Sequence, residues 1–209
     1  VGVGMGERGV LRLAARQNGV VSRAQVLAEG VTARQIDRRR ERRYWVSVFP
    51  GVYRIEGAPL TWMQQANAAA LWVGAGGALC HRTAAALWGL PRFAAAGPIH
   101  VNHPTYLPPP EGVVAHQTRL SPRDIAHHLG MRVTTLSRTL LDLAATEAAR
   151  HAERLQAEAL TDAMTALYNR RAWTSFIEHE EGRCRRYGAA ACVIVIDLDG
   201  LKRINDDSG

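Results

Sequence analysis

The chain of 209 residues contains 47% hydrophobic residues and has a net charge of +7, which suits one or two globular domains. Its three cysteines include no CxxC pair, so they indicate neither a disulfide framework nor a cysteine metal site. The N-terminus lacks the apolar core of a signal peptide, and a cytoplasmic location without a membrane partner is expected. Residues 1–146 contain seventeen arginines against eight acidic residues, whereas residues 147–209 have a net charge of −2. The basic first part favours a nucleic-acid partner.

The first part of the chain shows three short helical segments followed by two β-rich segments. Residues 8–18 have helical spacing of apolar residues, and Ser22 can cap a second helix. Thr32 can cap a third helix, with Gln35 at the capping-box position. Residues 45–55, WVSVFPGVYRI, then predict a β-hairpin.

This order of elements predicts a winged helix-turn-helix DNA-binding domain over residues 8–56. In such a domain the third helix enters the major groove, where its exposed polar side chains contact base edges and phosphates. The candidate DNA-binding residues lie on the third helix and in the hairpin: Arg34, Gln35, Arg38, Arg39, Arg42 and Arg54. A solvated arginine-rich helix without a nucleic-acid partner is the plainer alternative.

Residues 57–146 predict a small α+β domain. The uncharged stretch 61–80 is long enough for a membrane span, but its polar residues and glycines favour a helix over residues 60–73 and a turn. A further helix begins at His81. Strands are expected at residues 99–103, 113–117 and 131–135, before a helix that begins at Ser137 or Thr139.

Several histidines fall on the predicted strands. His100, His103 and His116 have no ligand spacing between them, and polar strand faces are the simpler explanation for their presence. His81, at the start of its helix, is more typical of a structural hydrogen-bonding residue than of a metal ligand.

Residues 11–145 resemble the AbiEi-type antitoxin and transcriptional regulator family of type IV toxin–antitoxin systems. The resemblance rests on four blocks: LAARQNGVVSRAQVLAEGVTARQIDRR, PGVYRI, HRTAAALWGL and VTTLSRTLLDLA. It implies an N-terminal domain that binds operator DNA and represses its own operon. It also implies a second α+β domain that helps dimerisation or counters a toxin, so a homodimer and a cognate toxin are possible partners. A protein-binding antitoxin without a DNA role is an alternative.

The last third of the chain begins with a helix-forming segment. Residues 147–160 contain no glycine or proline and have a narrow apolar stripe, which suits either a coiled-coil connector or a surface helix. A linker is predicted over residues 147–161. Residues 193–196 then predict a buried strand that carries Asp197 and Asp199 to its end, with Lys202 just beyond. Carboxylates and a lysine so placed suit Mg²⁺ and a phosphate, although solvated charges after a strand are an alternative.

Residues 160–209 closely resemble the start of a GGDEF domain, the diguanylate cyclase fold. The matching positions lie in three groups: Asp162, Thr165, Leu167, Asn169, Arg170 and Arg171; Arg185, Arg186, Tyr187 and Gly188; Asp197, Asp199, Lys202, Ile204, Asn205 and Asp206. The departures are mild, and they are Met164, Ala166, Trp173 and Leu201.

The GGDEF resemblance implies roles for individual residues. It assigns Mg²⁺ to the Asp197 side chain and the Leu198 carbonyl, and the phosphates of GTP to Gly200, Leu201 and Lys202. It assigns guanine to Asn205, and structural roles to Asp162 and the Asn-Arg-Arg turn that follows it. The family's reaction condenses two GTP molecules to cyclic di-GMP, with catalysis by metal and positioning.

The fold class predicted for the whole chain is α+β, with an incomplete α/β GGDEF segment over residues 162–209. The signature loop that completes the family's metal site is absent from the sequence, so no complete set of catalytic residues is expected. We therefore predict a DNA-binding regulator without enzymatic activity in these 209 residues, and poor order of the final segment. The alternative is a fragment of a longer diguanylate cyclase that its N-terminal domain regulates.

Overall fold

In the computed structural model of the chain, the structure describes residues 5–162, 164–165, 167–188 and 190–194. They fall into two compact units, residues 1–148 and residues 149–209. The helices and mixed sheets of the described residues make the chain an α+β protein, as predicted.

The first unit opens with the three helices and the hairpin that the sequence predicts. In chain order the elements are α1 (Met5–Arg16), β1 (Val20–Ser22), α2 (Arg23–Ala28), α3 (Ala33–Glu41), β2 (Trp45–Phe49) and β3 (Val52–Ile55). The strands form an antiparallel sheet in the order β1-β3-β2. Strand β1 was not predicted. It consists of three residues, and pairing with β3 defines it.

Local sequence explains the second and third helices. Ser22 and Thr32 each form a capping box with the glutamine three residues later, which satisfies amide groups that the first helical turn leaves unpaired. The apolar faces of the helices meet the sheet in a small core of buried side chains, which includes Val26, Ile36 and Trp45. This packing holds α3 by its buried Ile36 and leaves its opposite face in solvent.

The remainder of the first unit is built on a five-stranded mixed sheet. Its elements are α4 (Trp62–Val73), a short 3-10 turn (Gly74–Gly76), β4 (Ala78–Leu79), α5 (His81–Leu87), β5 (Ile99–His103), β6 (Val113–Gln117), β7 (Ile125–His128) and β8 (Met131–Thr134). The strand order is β6-β5-β4-β8-β7, with β5–β6 and β4–β8 parallel. The predicted helices and strands of this part are confirmed, whereas β4 and β7 were not predicted.

Helix α4 joins the two sheets of the first unit. Its residues Ala66, Ala69 and Val73 share one buried cluster with Val20 and Phe49 of the first sheet and with side chains of β4, β5 and β8. The predicted boundary at residues 56–57 therefore lies beside a core that both sides share. Among the described residues, none of the helices combines the length and apolar character needed to cross a membrane.

The last two helices are α6 (Leu136–Leu160) and α7 (Arg170–Tyr187). The separate helices predicted on either side of residue 146 form one continuous helix of 25 residues, because no helix-breaking residue interrupts it. Val193 and Ile194, predicted to lie in a buried strand, are instead exposed and belong to no strand. Among the described residues of the second unit, the only β-type pairing is the isolated bridge between Thr161 and Tyr168. The described residues therefore offer Val193 and Ile194 no strand to pair with. The rest of that predicted strand lies outside the described residues.

Candidate nucleic-acid interface

Helix α3 presents three exposed arginines, Arg34, Arg38 and Arg42, on the surface opposite its buried Ile36. Arg34 and Arg38 are one helical turn apart, and Arg42 follows at the C-cap, so the three guanidinium groups extend along the helix. Such a row of permanent charges on a rigid helix can contact DNA phosphates and base edges. These three residues fit the predicted interface best.

Arg39 was predicted to remain available to solvent or a partner, and the structure corrects this. Its guanidinium donates to Glu7 at 2.7 Å and to the Gln35 carbonyl at 3.2 Å, and it lies 5.3 Å from the ring centroid of Trp45. The side chain is only 20% exposed. Arg39 therefore ties α3 to α1 and to the sheet. The sequence could not show this, because Glu7 lies 32 positions away.

Gln35 also caps the N-terminus of α3. Its side-chain oxygen accepts a hydrogen bond from the Thr32 amide at 2.8 Å, as part of the capping box. The same residue had been predicted both to cap the helix and to contact DNA. The cap holds the carbonyl end, which leaves the amide nitrogen as the group able to donate to a base.

Arg54 lies in the strand region of the hairpin rather than at its tip. It pairs with Val46 in the sheet, and its guanidinium donates to the Ala58 carbonyl at 3.1 Å. Closer to the turn, the Arg23 amide donates to the Gly51 carbonyl at 2.7 Å. The Arg23 guanidinium lies 3.5 Å from the Tyr53 hydroxyl, and this hydrogen bond raises the pKa of Arg23. Arg23 is thus a basic residue beside the hairpin turn that the sequence did not indicate.

The second unit contains a well-defined turn before α7. One carboxylate oxygen of Asp162 accepts from the amides of Met164 and Thr165 and from the Thr165 hydroxyl, and these bonds lower the pKa of Asp162. The Asn169 side chain caps α7 and donates to the Ala159 carbonyl at 2.9 Å. The structural roles expected of Asp162 and of the turn at Asn169 are confirmed.

The predicted metal and nucleotide residues all lie outside the described residues. They are Asp197 and Leu198 for Mg²⁺, and Gly200, Leu201, Lys202 and Asn205 for GTP.

The structure also brings together four residues that the sequence did not connect. Cys80 and His81, at the start of α5, meet His116 of β6, and ligand atoms of these three lie within 4.8 Å of one another. His100 of β5 adjoins them, with its Nδ1 3.0 Å from Nε2 of His116. His103 lies apart and contacts Thr105. Sequence spacing carried no signal for this cluster, because it depends on how α5 packs against β5 and β6.

Comparison with known families identifies two segments of the chain. Residues 10–55 match the family described as "Transcriptional regulator, AbiEi antitoxin". Residues 159–209 match the family described as "Diguanylate cyclase, GGDEF domain". The first match is shorter than the predicted resemblance over residues 11–145 and covers α1 to β3.

Curated relatives match the GGDEF segment. The probable diguanylate cyclase DgcC of Escherichia coli (strain K12) is 43% identical over 65 residues, which are 31% of this chain and 18% of the relative. The diguanylate cyclase DgcP of Pseudomonas aeruginosa is 44% identical over 59 residues, 28% of this chain and 9% of the relative. The chain thus spans less than a fifth of the length of either protein.

Among solved structures, the RV2827C protein from Mycobacterium tuberculosis matches 57% of this chain and 47% of its own, with 19% identity and a TM-score of 0.33. By class, the chain thus matches a family of regulators in its first part and a family of cyclases in its last part. More specifically, residues 10–55 match the AbiEi family and residues 159–209 the GGDEF family, as the sequence resemblances predicted.

Proposed function

We propose that the chain is a DNA-binding transcriptional regulator of the AbiEi antitoxin type, whose residues 8–56 form a winged helix-turn-helix. The single observation that carries the proposal is the exposed arginine row of α3, on a helix that its capping box and the buried Ile36 hold in place. In this proposal α3 enters the major groove of operator DNA, and the β2–β3 hairpin lies along the phosphate backbone. A chromosomal operator would place the protein in the cytoplasm.

The proposal divides the predicted DNA-binding residues into two groups. Arg34, Arg38 and Arg42 contact DNA, with the amide group of Gln35 as a further donor. Arg39 positions α3 through Glu7 and Trp45. Arg54, whose guanidinium donates to the Ala58 carbonyl, supports the hairpin.

The test is binding of the full chain to a fragment of its own promoter, measured by fluorescence anisotropy at several salt concentrations. Replacement of Arg34, Arg38 and Arg42 by alanine is expected to weaken binding at least tenfold. It should also lower the slope of log K against log salt by about 0.9 for each lost phosphate contact. Arg39 is left intact, since its loss would disturb the helix itself.

A matched control removes the same charge elsewhere in the first unit. Arg92, Arg119 and Arg123 are exposed and lie outside α1 to β3. Their replacement by alanine should leave promoter affinity nearly unchanged. Equal weakening by both triple variants would show that net charge, rather than α3, drives binding. If the α3 variant bound the promoter as tightly as the unsubstituted chain, the proposal would be overturned in favour of a protein-binding antitoxin. Capture of a toxin from the native host would then support that alternative.

The GGDEF match favours a second candidate function for residues 159–209, the binding of GTP and Mg²⁺. In this proposal Asp197 and the Leu198 carbonyl hold the metal, Gly200, Leu201 and Lys202 the phosphates, and Asn205 the guanine. The described residues contribute the Asp162 turn and the Asn169 cap that lead into α7.

We expect GTP binding without turnover in the 209-residue chain, because its sequence contains no GGDEF loop to complete the metal site. Calorimetry with GTP and Mg²⁺ measures the first property, and chromatography for cyclic di-GMP measures the second. Lys202→Ala should weaken GTP binding, whereas Arg150→Ala, outside the matched segment, should not. Formation of cyclic di-GMP would contradict the expected inactivity and support the cyclase alternative.

A further inference from the structure

A compact cluster of metal-binding side chains lies in the first unit, away from α3. Cys80 ends the β4 segment and begins α5, His81 follows it, and His116 stands on β6. One ligand atom from each residue lies within 4.8 Å of the others. Four bonds of about 2.0–2.3 Å around a tetrahedral Zn²⁺ place neighbouring ligand atoms about 3.5 Å apart, so these three atoms would have to move closer together to bind one ion.

The imidazoles of His81 and His116 stack nearly parallel, with centroids 3.7 Å apart and an interplanar angle of 10°. Because the nitrogen lone pairs lie in the ring planes, one ring has to turn before both can bind the same ion. His100 lies 3.0 Å from His116, Nδ1 to Nε2, and a hydrogen bond joins the two rings. If His116 donates this bond, its Nδ1 keeps the lone pair that a metal needs. Hydrogen bonds of this kind commonly orient the histidine ligands of metals.

His81 has two unusual features in the described structure. Its Nδ1 is buried and has no hydrogen-bond partner, which is costly for a polar atom. Its backbone has a φ of +47°, in the left-handed region that few residues other than glycine adopt, although histidine is enriched there. A metal bond to this ring would satisfy its buried nitrogen.

The electrostatic surroundings suit a divalent cation. Cys80 would bind such an ion as a thiolate and release its proton. Nearby, Arg138 forms ion pairs with Asp142 and Asp124. Two carboxylates and a thiolate would therefore balance the guanidinium and the ion.

We propose that Cys80, His81 and His116 form a Zn²⁺ site with three protein ligands, which leaves the fourth position to water and fixes α5 against β6. A thiolate with two imidazoles is a ligand set that Zn²⁺ favours over Mg²⁺ or Ca²⁺. Asp142, whose side chain is 11% exposed and pairs with Arg138, is the neighbouring carboxylate that compensates the charge. The site is independent of the proposed DNA and GTP sites.

The test uses the full chain, stripped with chelator under reducing conditions and titrated with Co²⁺ as a spectroscopic probe. We expect one equivalent per chain, a thiolate-to-cobalt charge-transfer band, and displacement of the cobalt by Zn²⁺. Cys80→Ser should abolish the band, and His81→Gln or His116→Gln should weaken binding by about tenfold or more.

Matched controls separate this cluster from other thiols and histidines. Cys184 and Cys192 lie in the second unit, and His103 lies on β5 outside the cluster. Cys184→Ser, Cys192→Ser and His103→Gln should each keep the stoichiometry and the band. Binding that survives Cys80→Ser but is lost in Cys184→Ser or Cys192→Ser would overturn the proposal. If a cluster variant fails to fold, the cobalt titration of the unsubstituted chain still tests the proposal. Absence of a stoichiometric sulfur–cobalt band in that titration would refute the site.

Discussion

The side-chain hydroxyl of Thr32 stabilises the start of α3. It accepts a hydrogen bond from the Gln35 backbone amide at 3.3 Å, and the Thr32 backbone amide donates to the Gln35 side-chain oxygen at 2.8 Å. We predict that Thr32→Ala lowers the free energy of unfolding by about 1 kcal/mol, the usual cost of a lost N-cap. Urea denaturation measures the change. Thr118→Ala removes a threonine that caps no helix in the described structure, and an equal loss there would refute the capping explanation.

At the residue scale, sequence patterns found caps and exposed faces but not long-range partners. The spacing of Thr32 and Gln35 predicted the capping box, because both residues belong to one helical turn. The contact of Arg39 with Glu7 depends on how α1 packs against α3, and no local pattern encodes that packing. The cluster around His116 escaped prediction for the same reason.

Between elements, Gly77 lies against residues of both α4 and β5. A Cβ at this position would lie 2.6 Å from the Asn102 carbonyl oxygen and 2.7 Å from the Val73 Cβ. The Asn102 carbonyl belongs to the backbone of β5 and the Val73 Cβ is attached to the backbone of α4, so neither atom can move unless its strand or helix moves. We predict that Gly77→Ala destabilises the first unit by about 1–3 kcal/mol, the usual cost of overpacking. Thermal unfolding followed by circular dichroism measures the loss.

The neighbouring glycine gives a matched control for this prediction. A Cβ on Gly76 would meet only the side chain of His103, at 2.9 Å, and that side chain can rotate away. Gly76→Ala should therefore cost clearly less than Gly77→Ala. Equal losses would mean that the effect comes from the turn conformation rather than from contact with α4 and β5.

At the element scale, prediction succeeded where an element carries its own periodicity. Helix α4 and strands β5, β6 and β8 are long enough to show it, and they were found. Strands β1 and β4 contain three and two residues, and pairing with a partner strand defines them. For Val193 and Ile194 the apolar run predicted a strand, but a strand needs a neighbour to bond with, and the described residues provide none.

For the whole molecule, the division into two units makes the DNA proposal independent of the GGDEF segment. The α3 arginines and the core beneath them lie within residues 1–148, whereas Ala172 is fully buried within the second unit. We predict that Ala172→Asp disrupts the second unit, because it buries an unpaired charge. It should leave promoter affinity within about twofold, because the α3 arginines and the core beneath them belong to the first unit.

Proteolysis and anisotropy together measure this separation. Ala172→Asp should speed cleavage after residue 148 while promoter binding persists, and Ser175→Asp, at an exposed position three residues on, should change neither. The opposite outcome is informative. If Ala172→Asp weakened promoter binding as much as loss of Arg34, Arg38 and Arg42, the free energy of DNA binding would depend on the folding of the second unit. The GGDEF segment would then act as a control element for the regulator, because a ligand that stabilised it would also change operator affinity.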